Sequence, residues 1–226
     1  MTAAIELLKW YDTNHRSMPW RVSSSQKPNP YYVWMSEVML QQTTVATAGP
    51  YFKRFIARWP TVADMARAEL DEVLLGWAGL GYYARARNLH KCAQVIVDKY
   101  GGQFPDHETE LLKLPGIGRY TAAAISAIAF GRPAAVMDSN VERVMARLHS
   151  VLDPLPACKP ILYSHVSDMT PTFRPGDYAQ AVMDLGATVC TVRKPKCGLC
   201  PWIKRCQGKN MAEFIPLKGS KPKRQT

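Results

Sequence analysis

Four thiols, Cys190, Cys197, Cys200 and Cys206, fall within seventeen residues as a C-x6-C-x2-C-x5-C run. Thiolates gathered this closely can ligate one inorganic centre, a [4Fe-4S] cluster or a structural zinc ion. Zinc favours two C-x2-4-C knuckles separated by a longer stretch. Here only Cys197 and Cys200 form a knuckle, with single partners on either side, so the spacing favours iron–sulfur. Disulfides are the third reading. Met1 to Tyr11 reads as an amphipathic helix rather than a secretion signal, and thiols in a reducing compartment stay reduced. Cys92 and Cys158 stand outside the run. Cys92, in an apolar helical stretch, reads as a small core residue.

Leu114-Pro115-Gly116-Ile117-Gly118 lies between two helical patterns. Pro115 stops the first, and Gly116 and Gly118 permit positive φ and leave the backbone bare. The next helix opens near Arg119. Its free N–H groups and positive dipole end suit a phosphate, to which Arg119 adds charge. An ordinary tight turn in a helical bundle accounts for the same residues taken alone. Two carboxylates sit in contrasting settings. Glu37 lies among Val33, Trp34, Met35, Val38, Met39 and Leu40, where partial burial raises a carboxyl pKa and keeps a proton available near neutral pH. A solvated carboxylate is the plain alternative for a helical Glu. Asp138 precedes the helix at Val141 and is placed to cap it, which holds a carboxylate ionised.

These groups need elements to position them. Almost every segment has helical period, and none shows sustained alternation. Helices are predicted at 3–14, 31–40, 50–59, 62–66, 70–77, 83–100, 108–114, 119–130, 141–151, 160–169 and 175–189. Proline marks many of the breaks, and Thr61 and Asp106 read as N-caps. The coarse answer is an all-α protein of short helices. Ser23–Pro30 reads as a polar linker and Lys218–Arg224 as a solvated basic tail, with Gln225-Thr226 a possible boundary before a further domain. The chain has 226 residues, 29 basic against 18 acidic, for a net charge of +11. That imbalance points to a polyanion, nucleic acid ahead of a membrane surface. No run of eighteen apolar residues occurs, so no membrane span is expected. Arg193, Lys194, Lys196, Lys204 and Arg205 crowd the cysteine run, either to meet phosphate or as a solvated rim.

The chain resembles the helix-hairpin-helix DNA glycosylases related to endonuclease III, and within them the adenine DNA glycosylases. The resemblance rests on L-P-G-I-G, an Asp twenty residues after Gly118, and the cysteine run. It also rests on P-W-R at 19–21, V-W-M-S-E-V-M-L-Q-Q-T at 33–43, G-L-G-Y-Y-A-R-A-R-N-L-H at 79–90 and Q-A-V-M-D-L-G-A at 180–187. It implies two helical lobes: a six-helix lobe at 21–131 carrying the hairpin, and an iron–sulfur lobe of 1–20 plus 132–226. Double-stranded DNA with an A·8-oxoguanine or A·G mispair is expected across the cleft between them. The expected protein is a monomer, intracellular and cytoplasmic (nucleoid-associated if bacterial).

Hydrolysis of an N-glycosidic bond needs a protonated leaving base and a stabilised oxocarbenium-like sugar, which two carboxyl groups in different environments supply. The resemblance makes Glu37 the acid that protonates adenine and Asp138 the group facing the deoxyribose C1′, supported by Asn140. The family pattern has glycine directly after that Asp; this chain has Ser139. Tyr120 stands where bifunctional relatives carry a Schiff-base Lys, so base removal without efficient strand cleavage is expected. The target base must leave the duplex. Gln41, Gln42 and Tyr82 match the inserting residues, and Trp20, Arg21 and Gln180 match residues near the flipped adenine. Gly116, Gly118 and Arg119 hold backbone phosphate. The cluster is expected to be structural and DNA-positioning. Full-length adenine glycosylases carry a further C-terminal domain that helps recognise 8-oxoguanine, and no such sequence follows Thr226. If the chain is truncated, adenine removal survives while the preference for 8-oxoguanine falls. A thymine– or uracil–guanine mismatch glycosylase and a non-catalytic iron–sulfur DNA-binding module remain as alternatives.

Overall fold

Helical periodicity of apolar residues, punctuated by caps and prolines, yields an all-α chain. In the computed structural model, residues 2–22, 26–212 and 215 are described. Among them are eleven α-helices, one short 3-10 turn at Cys197–Leu199 and no strand. Ser23–Ser25 of the expected linker, and the Lys218–Arg224 tail with Gln225 and Thr226, lie outside the described residues. No helix among the described residues is long and apolar enough to cross a membrane.

Two units divide the chain, Ser17–Arg132 and Met1–Arg16 with Pro133–Thr226. The first holds α2 (Pro30–Leu40), α3 (Val45–Arg58), α4 (Val62–Arg67), α5 (Leu70–Trp77), α6 (Ala84–Tyr100), α7 (Glu108–Leu111) and α8 (Arg119–Phe130). This unit holds seven helices, the single turn α7 included, where six were expected. Helix α2 starts at Pro30, pre-set for a first helical position, with Asn29 capping Tyr31 N–H at 2.9 Å. It is apolar all round, and a helix of that kind sits inside; Tyr31 and the whole of Val33–Met39 are buried. It packs against α3, α6 and α8. An aromatic knot supports it, with Phe55 ring centroids 5.0 Å from Trp59 and 5.7 Å from Trp77.

The second unit holds α1 (Ala3–Asn14), α9 (Ser139–Leu148), α10 (Lys159–Met169) and α11 (Pro175–Thr188). Helix α11 packs against α1 and α9, and α10 against α9. Trp202, past the cysteine knuckle, is buried and donates from Nε1 to Ala3 O at 2.8 Å, tying the cysteine segment to α1. Arg205 pairs with Glu6 at 2.7 Å. The carboxylate of Asp184, with no exposed surface, accepts from Arg16 Nε at 2.6 Å and from Arg16 N–H at 3.0 Å.

Four expectations are corrected. Helix α3 begins five residues before Pro50, because the Thr44 hydroxyl accepts from Thr47 N–H at 3.3 Å and captures the helix start. Asp106 caps nothing: His107 takes the position before α7, and the Asp106 carboxylate pairs with Arg132 while its carbonyl accepts from Ser126 Oγ at 3.0 Å. Helix α7 stops at Leu111, because Leu114 N–H turns back to Leu111 O at 3.1 Å on entering the hairpin. Helix α9 spans Ser139–Leu148 rather than 141–151, since Asp138 caps it directly.

Candidate active site and iron–sulfur centre

Glu37 sits on the buried helix α2 and is itself only 7% exposed. Three residues on, the helix ends and the chain turns through Gln41, half-buried, and Gln42, exposed. Tyr82 tops a second turn, 68% exposed. Both tips take a left-handed backbone, with φ of 57° at Gln42 and 48° at Tyr82. Non-glycine residues visit that region rarely, and such outliers cluster at functional sites. Arg85, buried on α6, donates from Nη1 to Val38 O and Met39 O, each at 3.1 Å, and from Nη2 to Leu80 O at 2.9 Å. One guanidinium thereby touches the end of the Glu37 helix and the root of the Tyr82 turn. Trp20 is buried in the core, edge-on to Phe52 at 5.4 Å, and Arg21 beside it is half-buried.

The hairpin is built as a tight turn, with Ile117 N–H returning to Leu114 O at 3.2 Å. Its two glycines do different work. Gly116 has φ +74°, and a Cβ there would lie 2.8 Å from Asn88 Cβ. Gly118 has φ −94°, so of the two only Gly116 uses the positive φ that glycine permits. A Cβ at Gly118 would meet nothing within 4 Å, which leaves its exposed face open. No side chain caps α8. Arg119, exposed, and Tyr120, half-buried, are its first two residues.

In the second unit, Asp138 Oδ1 accepts from Val141 N–H at 2.8 Å and Oδ2 accepts from Asn140 Nδ2 at 2.9 Å. Capping and support by Asn140 thus coexist on one carboxylate. The Asn140 carbonyl accepts from Arg143 Nη2 at 2.8 Å, and Arg143 Nε donates to Cys190 O at 2.8 Å. A continuous chain of hydrogen bonds therefore runs from Asp138 to the first cysteine. Helix α11 comes close enough that a Cβ on Gly186 would sit 2.7 Å from Asn140 Cβ. Gln180, on the same helix, is 9% exposed and reaches only Gly176 O of its own helix, at 3.4 Å.

The cysteine segment winds around Arg147. Its Nη1 donates to Cys190 Sγ at 3.4 Å and to Thr191 O at 2.6 Å, and Nη2 to Val192 O at 3.1 Å. The Arg147 carbonyl accepts from Cys206 Sγ at 3.4 Å and from Gly208 N–H at 2.9 Å. A Cβ at Gly208 would fall 2.4 Å from that carbonyl, so only glycine passes there. Arg193, Lys194, Lys196 and Lys204 are exposed around the run, while Arg205 is committed to Glu6. Sequence reasoning missed Arg85, Arg143 and Arg147. Each has partners more than forty residues away along the chain, and nothing in local periodicity marks them.

Residues 35–157 match the HhH-GPD superfamily of base excision DNA repair proteins. The adenine DNA glycosylase of Mycolicibacterium smegmatis is 41% identical, covering 90% of this chain and 68% of its own. This chain belongs to the adenine DNA glycosylase family. The adenine DNA glycosylase of Homo sapiens is 44% identical over 95% of this chain, which spans 40% of that relative's length. Among solved structures, a thermostable thymine-DNA glycosylase is similar with TM-score 0.80 at 28% identity, covering 92% and 94% of the two chains. A non-covalent endonuclease III–DNA complex gives 0.74 at 28%, covering 91% and 92%.

Residues 190–206, which begin and end on a cysteine, match the iron–sulfur binding domain of endonuclease III. This member of the adenine DNA glycosylase family therefore carries an iron–sulfur domain, and its donors fit a [4Fe-4S] cluster. Burial pushes the Cys200 thiol up to about 11, with the charges of Cys190, Cys206 and Cys197 adding to the effect, so all four thiols lie within electrostatic reach. Among the described residues, no three or more His, Cys, Asp or Glu are gathered to hold a single metal ion. The single C-x2-C knuckle and the match to an iron–sulfur domain favour the cluster over zinc. Cys92 and Cys158 are buried apart from this set, and burial pushes Cys92 up to about 12.

Proposed function

We propose that this chain hydrolyses the N-glycosidic bond of adenine mispaired with 8-oxoguanine or guanine in double-stranded DNA, without cleaving the strand. The observation that carries this reading is the buried Glu37 within E-V-M-L-Q-Q-T, in a chain of the adenine DNA glycosylase family. An adenine leaves as a neutral base only if a ring nitrogen is protonated, and a carboxyl group shielded from water is a suitable general acid. Asp138 supplies the opposite need. With both oxygens already accepting hydrogen bonds, it is held in place to stabilise positive charge at C1′. Tyr120 has no amine to form an imine, so the sugar is left as an abasic site with the strand intact. Gln41, Gln42 and Tyr82 enter the stack as the adenine is extruded. Trp20, Arg21 and Gln180 line its path, and the open backbone at Gly116, Gly118 and Arg119 takes a phosphate. Cys190, Cys197, Cys200 and Cys206 would hold the cluster through their thiolates, and its iron atoms would tie the loop together. The exposed Arg193, Lys194 and Lys196 on that loop then meet the DNA backbone.

The likeness to a thymine-DNA glycosylase favours a second reading, a T·G mismatch glycosylase. One experiment separates them. A single-turnover reaction on a labelled duplex with one A opposite 8-oxoguanine is analysed with and without hot alkali, beside a T·G duplex and the Glu37→Gln protein. The expected result is scission of the A strand only after alkali, with the Glu37→Gln rate lower by about 10²–10⁴-fold. Product from T·G alone, with Glu37→Gln unaffected, sinks the adenine reading.

A further inference from the structure

The two turns expected to enter DNA share one anchor. We infer that Arg85 is a positioning residue that couples the Gln41–Gln42 turn to the Tyr82 turn, so that both enter the duplex as one rigid element. The inference rests on the base-extrusion step of the function proposed above.

Arg85 is a cation with 9% exposure and no carboxylate partner. Its acceptors are five main-chain carbonyls and one hydroxyl. They divide by nitrogen. Nη1 donates to Val38 and Met39, each at 3.1 Å, and to Gln41, all on the Gln side. Nη2 donates to Leu80 at 2.9 Å and Gly81 at 3.3 Å on the Tyr82 side, and crosses to Thr43 Oγ1 at 3.3 Å. Nε has no partner at all. A buried donor left unmatched is rare, and here the ring contacts and the two nitrogens fix the group where Nε cannot be served. The guanidinium carbon lies 5.2 Å from the Trp77 ring and 5.7 Å from the Tyr82 ring. Trp77 Nε1 also donates to Gly81 O at 3.1 Å, so the root of the Tyr82 turn is held from two sides.

Gln42 and Tyr82 are both exposed, so side-chain packing does not enforce their left-handed backbones. Such conformations persist where the surroundings over-determine them. The carbonyls that lead into both tips, Gln41 before Gln42 and Leu80 and Gly81 before Tyr82, are among those that Arg85 binds. Neither turn can relax without giving up bonds to the same planar group, so a disturbance at one is felt at the other. A lysine keeps the charge but cannot serve two turns through a rigid fork.

The test uses the full chain with its cluster. Base extrusion is followed by stopped-flow fluorescence of 2-aminopurine placed opposite guanine, for Gln42→Ala, Tyr82→Ala and their double variant, each with Arg85 or Arg85→Lys. Amide hydrogen exchange of the DNA-free protein is read at residues 41–43 and 80–83. With Arg85 present, the double variant should slow extrusion at least tenfold less than the product of the two single effects. With Arg85→Lys the effects should multiply, and the two turns, which open together in the parent, should exchange at rates differing at least tenfold. Multiplying single effects in the parent, or independent exchange of the two turns there, overturns the inference. If Arg85→Lys does not fold, the parent protein decides alone: the coupling between Gln42→Ala and Tyr82→Ala and the shared exchange of the two turns are both read with Arg85 in place, and absence of either overturns the inference. A parent that releases no adenine while its turns still exchange together sinks the proposed function and leaves the coupling standing.

Discussion

The two hairpin glycines make opposite predictions from the same five-residue turn. At Gly116 an alanine must hold φ +74°, and its Cβ must sit 2.8 Å from Asn88 Cβ. A left-handed conformation costs an L-residue about 1–2 kcal/mol. Overpacking against a helix backbone position adds about 1–3 kcal/mol, so Gly116→Ala should lose about 2–5 kcal/mol. The steric part has a specific cure. Asn88→Gly removes the offending Cβ and Asn88→Ala does not, so a double-mutant cycle of Gly116→Ala with Asn88→Gly should return about 1–3 kcal/mol of coupling. At Gly118, φ is −94° and a Cβ meets nothing within 4 Å. Restricting the unfolded chain by Gly118→Ala gains about 0.4–1 kcal/mol. Alanine is a poorer N-cap by a similar amount, so stability should hold within about 0.5 kcal/mol. The methyl nevertheless stands on the open face, and duplex binding by fluorescence anisotropy should weaken about tenfold, or 1.4 kcal/mol. Urea unfolding decides the first point. Equal losses at the two glycines, or rescue by Asn88→Ala as good as by Asn88→Gly, refutes the reasoning.

Tyr120→Lys places an amine at the second residue of α8 and should yield a borohydride-trappable covalent complex with DNA; an untrappable variant that still releases base argues against this position facing C1′. Arg16→Ala removes the guanidinium from the fully buried Asp184 carboxylate, while Arg16 N–H still donates to it. Since the Arg16 side chain is itself 32% exposed, the loss should be about 2–4 kcal/mol by urea unfolding, centred lower than the about 3–5 kcal/mol for breaking a fully buried pair. His149 stacks on His165 at 3.8 Å, and burial, then the His165 charge, lowers its pKa below the ordinary 6.5, with Asp168 opposing. The unfolded chain therefore takes up the proton first as pH falls, so this contribution is present above pH 6.5 and is lost below it. His149→Gln should flatten the fall in melting temperature between about pH 7 and 5; an unchanged slope refutes the assignment.

Local signals in the sequence carried far. The periodicity over Ala3–Asn14, Leu70–Trp77 and Arg119–Phe130 gives those helices to the residue, because caps and breakers sit at their ends. The cysteine spacing located the iron–sulfur domain for the same reason, all four ligands being close in sequence. Errors arose where a local signal competed with another. Pro50 looks like a helix start, but the Thr44 cap six residues earlier takes precedence. Asp106 looks like a cap, but a distant arginine claims its carboxylate. The three buried arginines were illegible because their acceptors are main-chain carbonyls, which every residue has. Only the folded path shows which ones converge.

The discontinuous unit bears on how the chain is made. Helix α1 buries Ala4, Leu7, Leu8 and Tyr11 and packs on α11 within the unit Met1–Arg16 plus Pro133–Thr226. Synthesis proceeds at about 5–20 residues per second. At that pace the apolar face of α1 waits roughly ten to thirty seconds for α11 to emerge, while every residue of Ser17–Arg132 is already available. Helix α1, made well before α11, is thus seated only after it, and a nascent-chain chaperone has a clear target in its apolar face.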